Sequence, residues 1–149
     1  MENQRDDLIL IFAGGKSKID GFFDSNPGIS SRIGNHVDFK DYDSKDLIDI
    51  TKYLLTNENR YKYTPDSIAI LQHYIDQLKT FPAFANARTL KVLVNQLLAF
   101  QAIRVEDTLA KKGSIDYDSL VTIRPEDFNY FTPDDFINII GSEDVKLYS

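Results

Sequence analysis

Residues Leu8 to Ala13 read Leu-Ile-Leu-Ile-Phe-Ala and stop at Gly14-Gly15. A continuous apolar run closed by glycines is the pattern of a strand buried on both faces, as in a parallel sheet. Such a strand needs neighbours on both sides. The chain offers one further short candidate, His36 to Phe39, with Val37 and Phe39 on one face. Two strands cannot bury so apolar a run. The missing neighbours are expected upstream in a longer chain or on another protein.

Between these strands, Lys16 to Asp24 spaces Ile19, Phe22 and Phe23 as a short amphipathic helix, and Asn26-Pro27-Gly28 then punctuates the chain. After Asp41 the pattern turns helical. Asp43 or Ser44 can cap a helix whose stripe is Leu47, Ile50, Leu54 and Leu55. Thr64-Pro65 is a strong helix start, with Ile68, Leu71, Tyr74, Ile75 and Leu78 following on one face. A third helix begins near Asn86 and carries Leu90, Leu93, Val94, Leu97 and Phe100 inward. It ends by about Ala110, where Lys111-Lys112-Gly113 supplies cations and a glycine stop. Two acid-rich starts close the chain, Arg124-Pro125-Glu126-Asp127 and Thr132-Pro133-Asp134-Asp135. The expected fold is mostly α: an α/β remnant of one or two strands and a short helix over 1–41, a helical region over 42–128, and a helical tail over 129–149.

The charge balance narrows the function. A net charge of -6 and a pI near 4.8 oppose a primary role in gripping nucleic acid, whose phosphates demand a basic surface. The chain has no cysteine, so disulfides and thiolate metal sites are excluded. The start, Met1-Glu2-Asn3-Gln4-Arg5-Asp6-Asp7, is polar and acidic, unlike a secretory signal, and no apolar run is long enough for a bilayer. The expectation is a cytoplasmic protein with no membrane and no nucleic-acid partner.

The chemistry-bearing patterns divide sharply. Gly15-Lys16-Ser17 invites a phosphate-loop reading, but the glycine needed five positions earlier is Leu10. A two-glycine turn also offers too few backbone amides to cradle phosphate. Gly28-Ile29-Ser30 resembles the start of a nucleophile elbow, but Arg32 stands where the closing glycine belongs. His36 and His73 fall in different elements, so a metal site built from them and scattered carboxylates is only weakly signalled. Asp38, Asp41, Asp43 and Asp46 read as a solvated surface with helix caps.

The informative segment is Ser25-Asn26-Pro27-Gly28-Ile29-Ser30-Ser31-Arg32-Ile33, followed by Val37-Asp38-Phe39 and Asp41-Tyr42. Downstream come Phe84-Ala85-Asn86-Ala87-Arg88-Thr89-Leu90, Gln101-Ala102-Ile103-Arg104 and Thr122-Ile123-Arg124-Pro125-Glu126-Asp127-Phe128. In this order and spacing, from about Leu8 to Phe128, the stretch resembles AAA+ ATPases of the CbbX type. That group includes red-type rubisco activase and stage V sporulation protein K. The resemblance implies the end of an AAA+ α/β subdomain followed by an AAA+ lid.

It also implies roles. Arg32 matches the arginine finger, a catalytic residue that reaches a neighbouring subunit's ATP. A planar, charge-delocalised cation suits the γ-phosphate in the transition state. Arg88 matches the nucleotide-binding sensor arginine of the lid, at a helix N-terminus whose dipole favours phosphate. The family's phosphate loop, magnesium-binding strand and pore loop have no counterpart in this sequence. Lys91 stands where the lid motif carries a second arginine, and Gly15 where a polar sensor is usual.

The chain alone is therefore expected not to hydrolyse ATP. ATP and magnesium belong to a complete AAA+ partner or parent, and no metal is assigned to this chain. Docked into an oligomeric ring of AAA+ subunits, it would supply Arg32. The alternative is a non-catalytic protein-interaction module derived from an AAA+ lid, with Phe131 and Phe136 of the tail binding another protein.

Overall fold

The computed structural model describes residues 9–147, and the side chains of all of these except 133 and 142–147. The chain divides into two units, Met1–Lys40 and Asp41–Ser149.

In the first unit the described residues form two short helices, α1 (Lys16–Ser25) and α2 (Pro27–Ser30). Asn26 stands between them, and Pro27 occupies the first turn of α2, where a missing N–H costs nothing. Phe12 packs on Phe22 at 5.8 Å between ring centroids, and Phe23 meets the ring of His36 edge-on at 5.7 Å.

The two strands expected here are not formed. Residues 9–15 and 34–43 are irregular, and Leu8 lies outside the described residues. The physical reason is the absence of a partner ladder. Ile9 is 88% exposed and Phe39 92% exposed, so neither segment has found the second face that a buried strand requires.

The second unit is helical. It contains α3 (Ser44–Tyr53) with a wide π-type turn over Leu54–Glu58, then α4 (Pro65–Leu78), α5 (Ala87–Lys112), α6 (Tyr117–Val121), a 3-10 turn (Pro125–Tyr130) and α7 (Pro133–Leu147). Two short strands, β1 (Lys62–Tyr63) and β2 (Thr122–Ile123), pair in parallel. Their register sets Lys62 opposite Thr122 and Tyr63 opposite Ile123. This pair ties the start of α4 to the segment after α6, and the sequence pattern did not foretell it.

Helices α3 and α4 begin where their caps dictate. Asp43 accepts from the Asp46 N–H at 2.8 Å and starts α3. Thr64 and Ser67 form a reciprocal capping box ahead of α4: Thr64 Oγ1 accepts from Ser67 N–H at 3.2 Å, and Ser67 Oγ accepts from Thr64 N–H at 3.0 Å. Thr64→Ala is expected to lower the stability of this unit by about 1 kcal/mol, read as a shifted urea midpoint with unchanged slope. A midpoint equal to the parent's would show that Ser67 alone holds the helix start. At the far end of α5, Gly113 takes φ +74, a left-handed stop that a side chain would strain.

The core is shared by α3, α4 and α5. Leu47, Leu55, Leu71, Ile75, Leu78, Leu90, Leu93 and Leu97 are all buried in one cluster. On α5 the buried positions Leu90, Leu93, Val94, Leu97, Phe100 and Gln101 follow the helical repeat, so one stripe of its first half faces the core. Ile139 and Ile140 of α7 join the same cluster. Phe131 and Phe136 are half-buried beside Tyr74, with ring centroids 4.9 Å from it in each case. That burial also raises the pKa of the Tyr74 phenol above its ordinary value. The tail phenylalanines, which the alternative reading assigned to a partner, are thus engaged within their own unit.

Candidate functional site

Arg32 follows the one-turn helix α2, and its N–H donates to Ile29 O at 3.0 Å. Asn26 Nδ2 donates to Phe22 O at 2.9 Å and so fixes the turn that leads into α2. The Asn-Pro-Gly sequence thereby becomes a compact corner with Arg32 exposed at its exit. Lys16, the lysine of the false phosphate loop, opens α1 and pairs with Asp38 at 3.6 Å.

Arg88 lies in the first turn of α5 and is exposed, with its N–H donating to Ala85 O at 3.2 Å. The four backbone amides at a helix start lack intrahelical partners, so this end favours an anion. Lys91, one turn on, pairs at 3.7 Å with Glu58 and stays half in solvent, an arrangement that contributes little to stability. Arg32 belongs to the first unit and Arg88 to the second.

Asn86 begins α5 without capping it. Its side chain turns to the segment that enters the helical unit: Asn86 Nδ2 donates to Asp41 Oδ1 at 2.8 Å, and Tyr42 N–H donates to Asn86 Oδ1 at 3.3 Å. Thr89 Oγ1 meanwhile accepts from Ala85 N–H at 2.9 Å, satisfying a donor near the helix start.

A polar network fastens the middle of α5 to the segment that follows α6. Arg104 Nε donates to Asp127 Oδ1 at 2.5 Å, with the Arg104 side chain 12% exposed and that of Asp127 0%. Arg104 Nη2 donates to Thr122 O at 2.9 Å. Asp127 Oδ2 accepts from Arg124 N–H at 2.8 Å, and Arg124 Nη2 donates to Ser119 Oγ at 2.9 Å. Gln101 Nε2 donates to Leu120 O at 2.7 Å. Asp116 completes the set by accepting from both the hydroxyl and the N–H of Ser119, and these two bonds hold its carboxyl below the ordinary range. The Gln101–Arg104 and Arg124–Asp127 motifs thus prove to be two halves of one structural staple. The sequence signal was a cation one turn beyond the last buried residues of the α5 stripe.

The other candidate chemistry is dispersed. His73 contacts Gln77 through its ring nitrogen at 3.2 Å and the Tyr74 ring edge-on. Among the described residues, no group of three or more histidines and carboxylates is placed to hold a metal ion. Among the same residues, no helix is long and apolar enough to cross a membrane.

Comparison with known proteins adds a family. The family model described as AAA lid domain matches residues 43–136. The chain is 44% identical over 127 residues to the protein CfxQ homolog of Guillardia theta, covering 85% of this chain and 42% of that protein. It is likewise 44% identical over 127 residues to a chloroplastic ribulose bisphosphate carboxylase/oxygenase activase of Cyanidioschyzon merolae, with the same coverage of 85% and 42%. The protein CfxQ of Xanthobacter flavus is 37% identical over 127 residues, covering 85% of this chain and 39% of that protein. The chain therefore spans about two fifths of the length of the curated relatives it matches.

Proposed function

Because the chain belongs to the AAA lid domain family, we propose that it acts as the arginine-finger and lid portion of a CbbX-type AAA+ ATPase. The observation that carries this reading is the lid match over residues 43–136, with Arg88 exposed in the first turn of α5. Two exposed guanidiniums suit phosphate oxygens, because each offers planar, bidentate donors that keep their charge at any physiological pH. Arg32 serves as the finger toward a neighbouring subunit's γ-phosphate, and Arg88 as the lid's phosphate contact. The phosphate cradle and magnesium are supplied by a complete AAA+ partner or parent. Bound there, ATP would supply the reacting phosphoryl group and magnesium would neutralise charge on its oxygens. This chain orients the lid and adds positive charge at the transferring phosphate.

On this reading the chain joins AAA+ subunits in an oligomer. The alternative, partner binding through the tail, is not favoured by the packing of Phe131 and Phe136 against Tyr74 and Phe100.

Titrating the isolated chain with a fluorescent ATP analogue tests the proposal. The expected result is no binding in the micromolar range and no turnover, because two guanidiniums cannot replace a phosphate loop. Micromolar binding with turnover that survives both Arg32→Ala and Arg88→Ala would place a complete nucleotide site elsewhere and sink the proposal.

A further inference from the structure

Among the described residues, only Arg60 and Asn86 combine a side chain with positive φ, and Asn86 does so at +50. With ψ at -125 it lies outside the left-handed helical region that asparagine tolerates, so the conformation is disfavoured for any residue with a Cβ. Asn86 also forgoes the capping bond that asparagine commonly makes at a helix start. Both sacrifices serve one geometry, in which the amide faces the incoming chain. Its Oδ1 accepts from the Tyr42 N–H while its Nδ2 donates to the Asp41 carboxylate. Only a primary amide of this length does both. An aspartate would turn a carboxylate toward Asp41, and a glutamine would overreach by one methylene.

We infer that Asn86 is a positioning residue: it fastens the segment entering the helical unit, Asp41–Tyr42, to the first turn of α5, so that this segment and Arg88 move as one body. The consequence for a nucleotide rests on the function proposed above. A pull on Arg88 by phosphate is then delivered directly to the chain that joins the lid to whatever precedes it. Without the latch, the first turn of α5 shifts independently of that chain.

The test uses the full chain labelled with 15N and reads two signals, the water exchange of the Tyr42 amide and the position of the Arg88 amide resonance. Asn86→Ala and Asn86→Gly are both made, because glycine adopts positive φ freely and keeps the fold where alanine is strained. Each is expected to speed Tyr42 exchange by about tenfold and to move the Arg88 resonance. Asn86→Asp alone should do the same, because two carboxylates then face each other. The reversed pair, Asp41→Asn with Asn86→Asp, should restore both signals, since the amide introduced at position 41 then donates to the new carboxylate. An asparagine needed only for the backbone conformation at position 86 would not be rescued by exchanging partners. Unchanged Tyr42 exchange in Asn86→Gly, or a reversed pair as fast as the single variants, overturns the inference. Neither signal needs a nucleotide, so failure of the nucleotide-site proposal would leave both unaltered and be told apart.

Discussion

Asp127→Ala is expected to destabilise the helical unit by about 3–5 kcal/mol, a large part of the 5–15 kcal/mol that holds a typical domain together. The reason is an uncompensated charge. Asp127 is fully buried and receives Arg104 Nε at 2.5 Å and the Arg124 N–H at 2.8 Å. Its removal leaves the guanidinium of Arg104, itself only 12% exposed, without a counter-ion. It also removes the acceptor that starts the 3-10 turn at Pro125. Urea unfolding followed by circular dichroism measures the loss. A drop below about 1 kcal/mol would show that water reaches Arg104 freely and that the staple is only a surface pair. The double replacement Arg104→Met with Asp127→Leu should be milder than Asp127→Ala, because no buried charge then remains. That ordering separates the penalty of a broken pair from the net worth of an intact one.

The staple marks the limit of what the sequence made legible. Local rules located the helices well. Thr64-Pro65 starts α4, the Leu90-to-Phe100 stripe faces the core, and Gly113 stops α5. Each of these depends on residues within one or two turns of each other. Arg104 and Asp127 lie 23 positions apart, and nothing in either segment names the other as its partner. The motifs that contain them were visible as a resemblance, but their physical purpose was not. Asn86 was hidden for a similar reason, since its partners lie 44 and 45 residues upstream. The run from Ile9 to Ala13 illustrates the converse. Its composition reads as a strand, but a strand exists only with a neighbour, and the described residues of the first unit supply none. The two arginines were legible as positions in motifs. Their exposure became visible only in the structure.

On the finger role proposed for it, Arg32→Ala is expected to reduce ATP turnover on the order of a thousandfold at a site shared between this chain and a complete CfxQ-type subunit. That factor corresponds to about 4 kcal/mol of lost transition-state stabilisation. The magnitude follows from where charge develops. As the γ-phosphoryl group transfers, negative charge spreads over oxygens that a planar, two-pronged cation contacts better than a point charge. Arg32→Lys should therefore recover little of the loss, even though it keeps the positive charge. Folding of the helical unit does not confound the comparison. Arg32 belongs to the first unit, whereas the buried core and the Arg104–Asp127 staple belong to the second. Both variants should keep the urea midpoint of the helical unit. Single-turnover hydrolysis at a fixed mixing ratio reads the effect on chemistry, separately from nucleotide affinity. Mixed assemblies that hydrolyse ATP equally well with arginine, lysine or alanine at position 32 would remove the finger role. The lid match over residues 43–136 would then stand as kinship without that chemistry, because it never included Arg32.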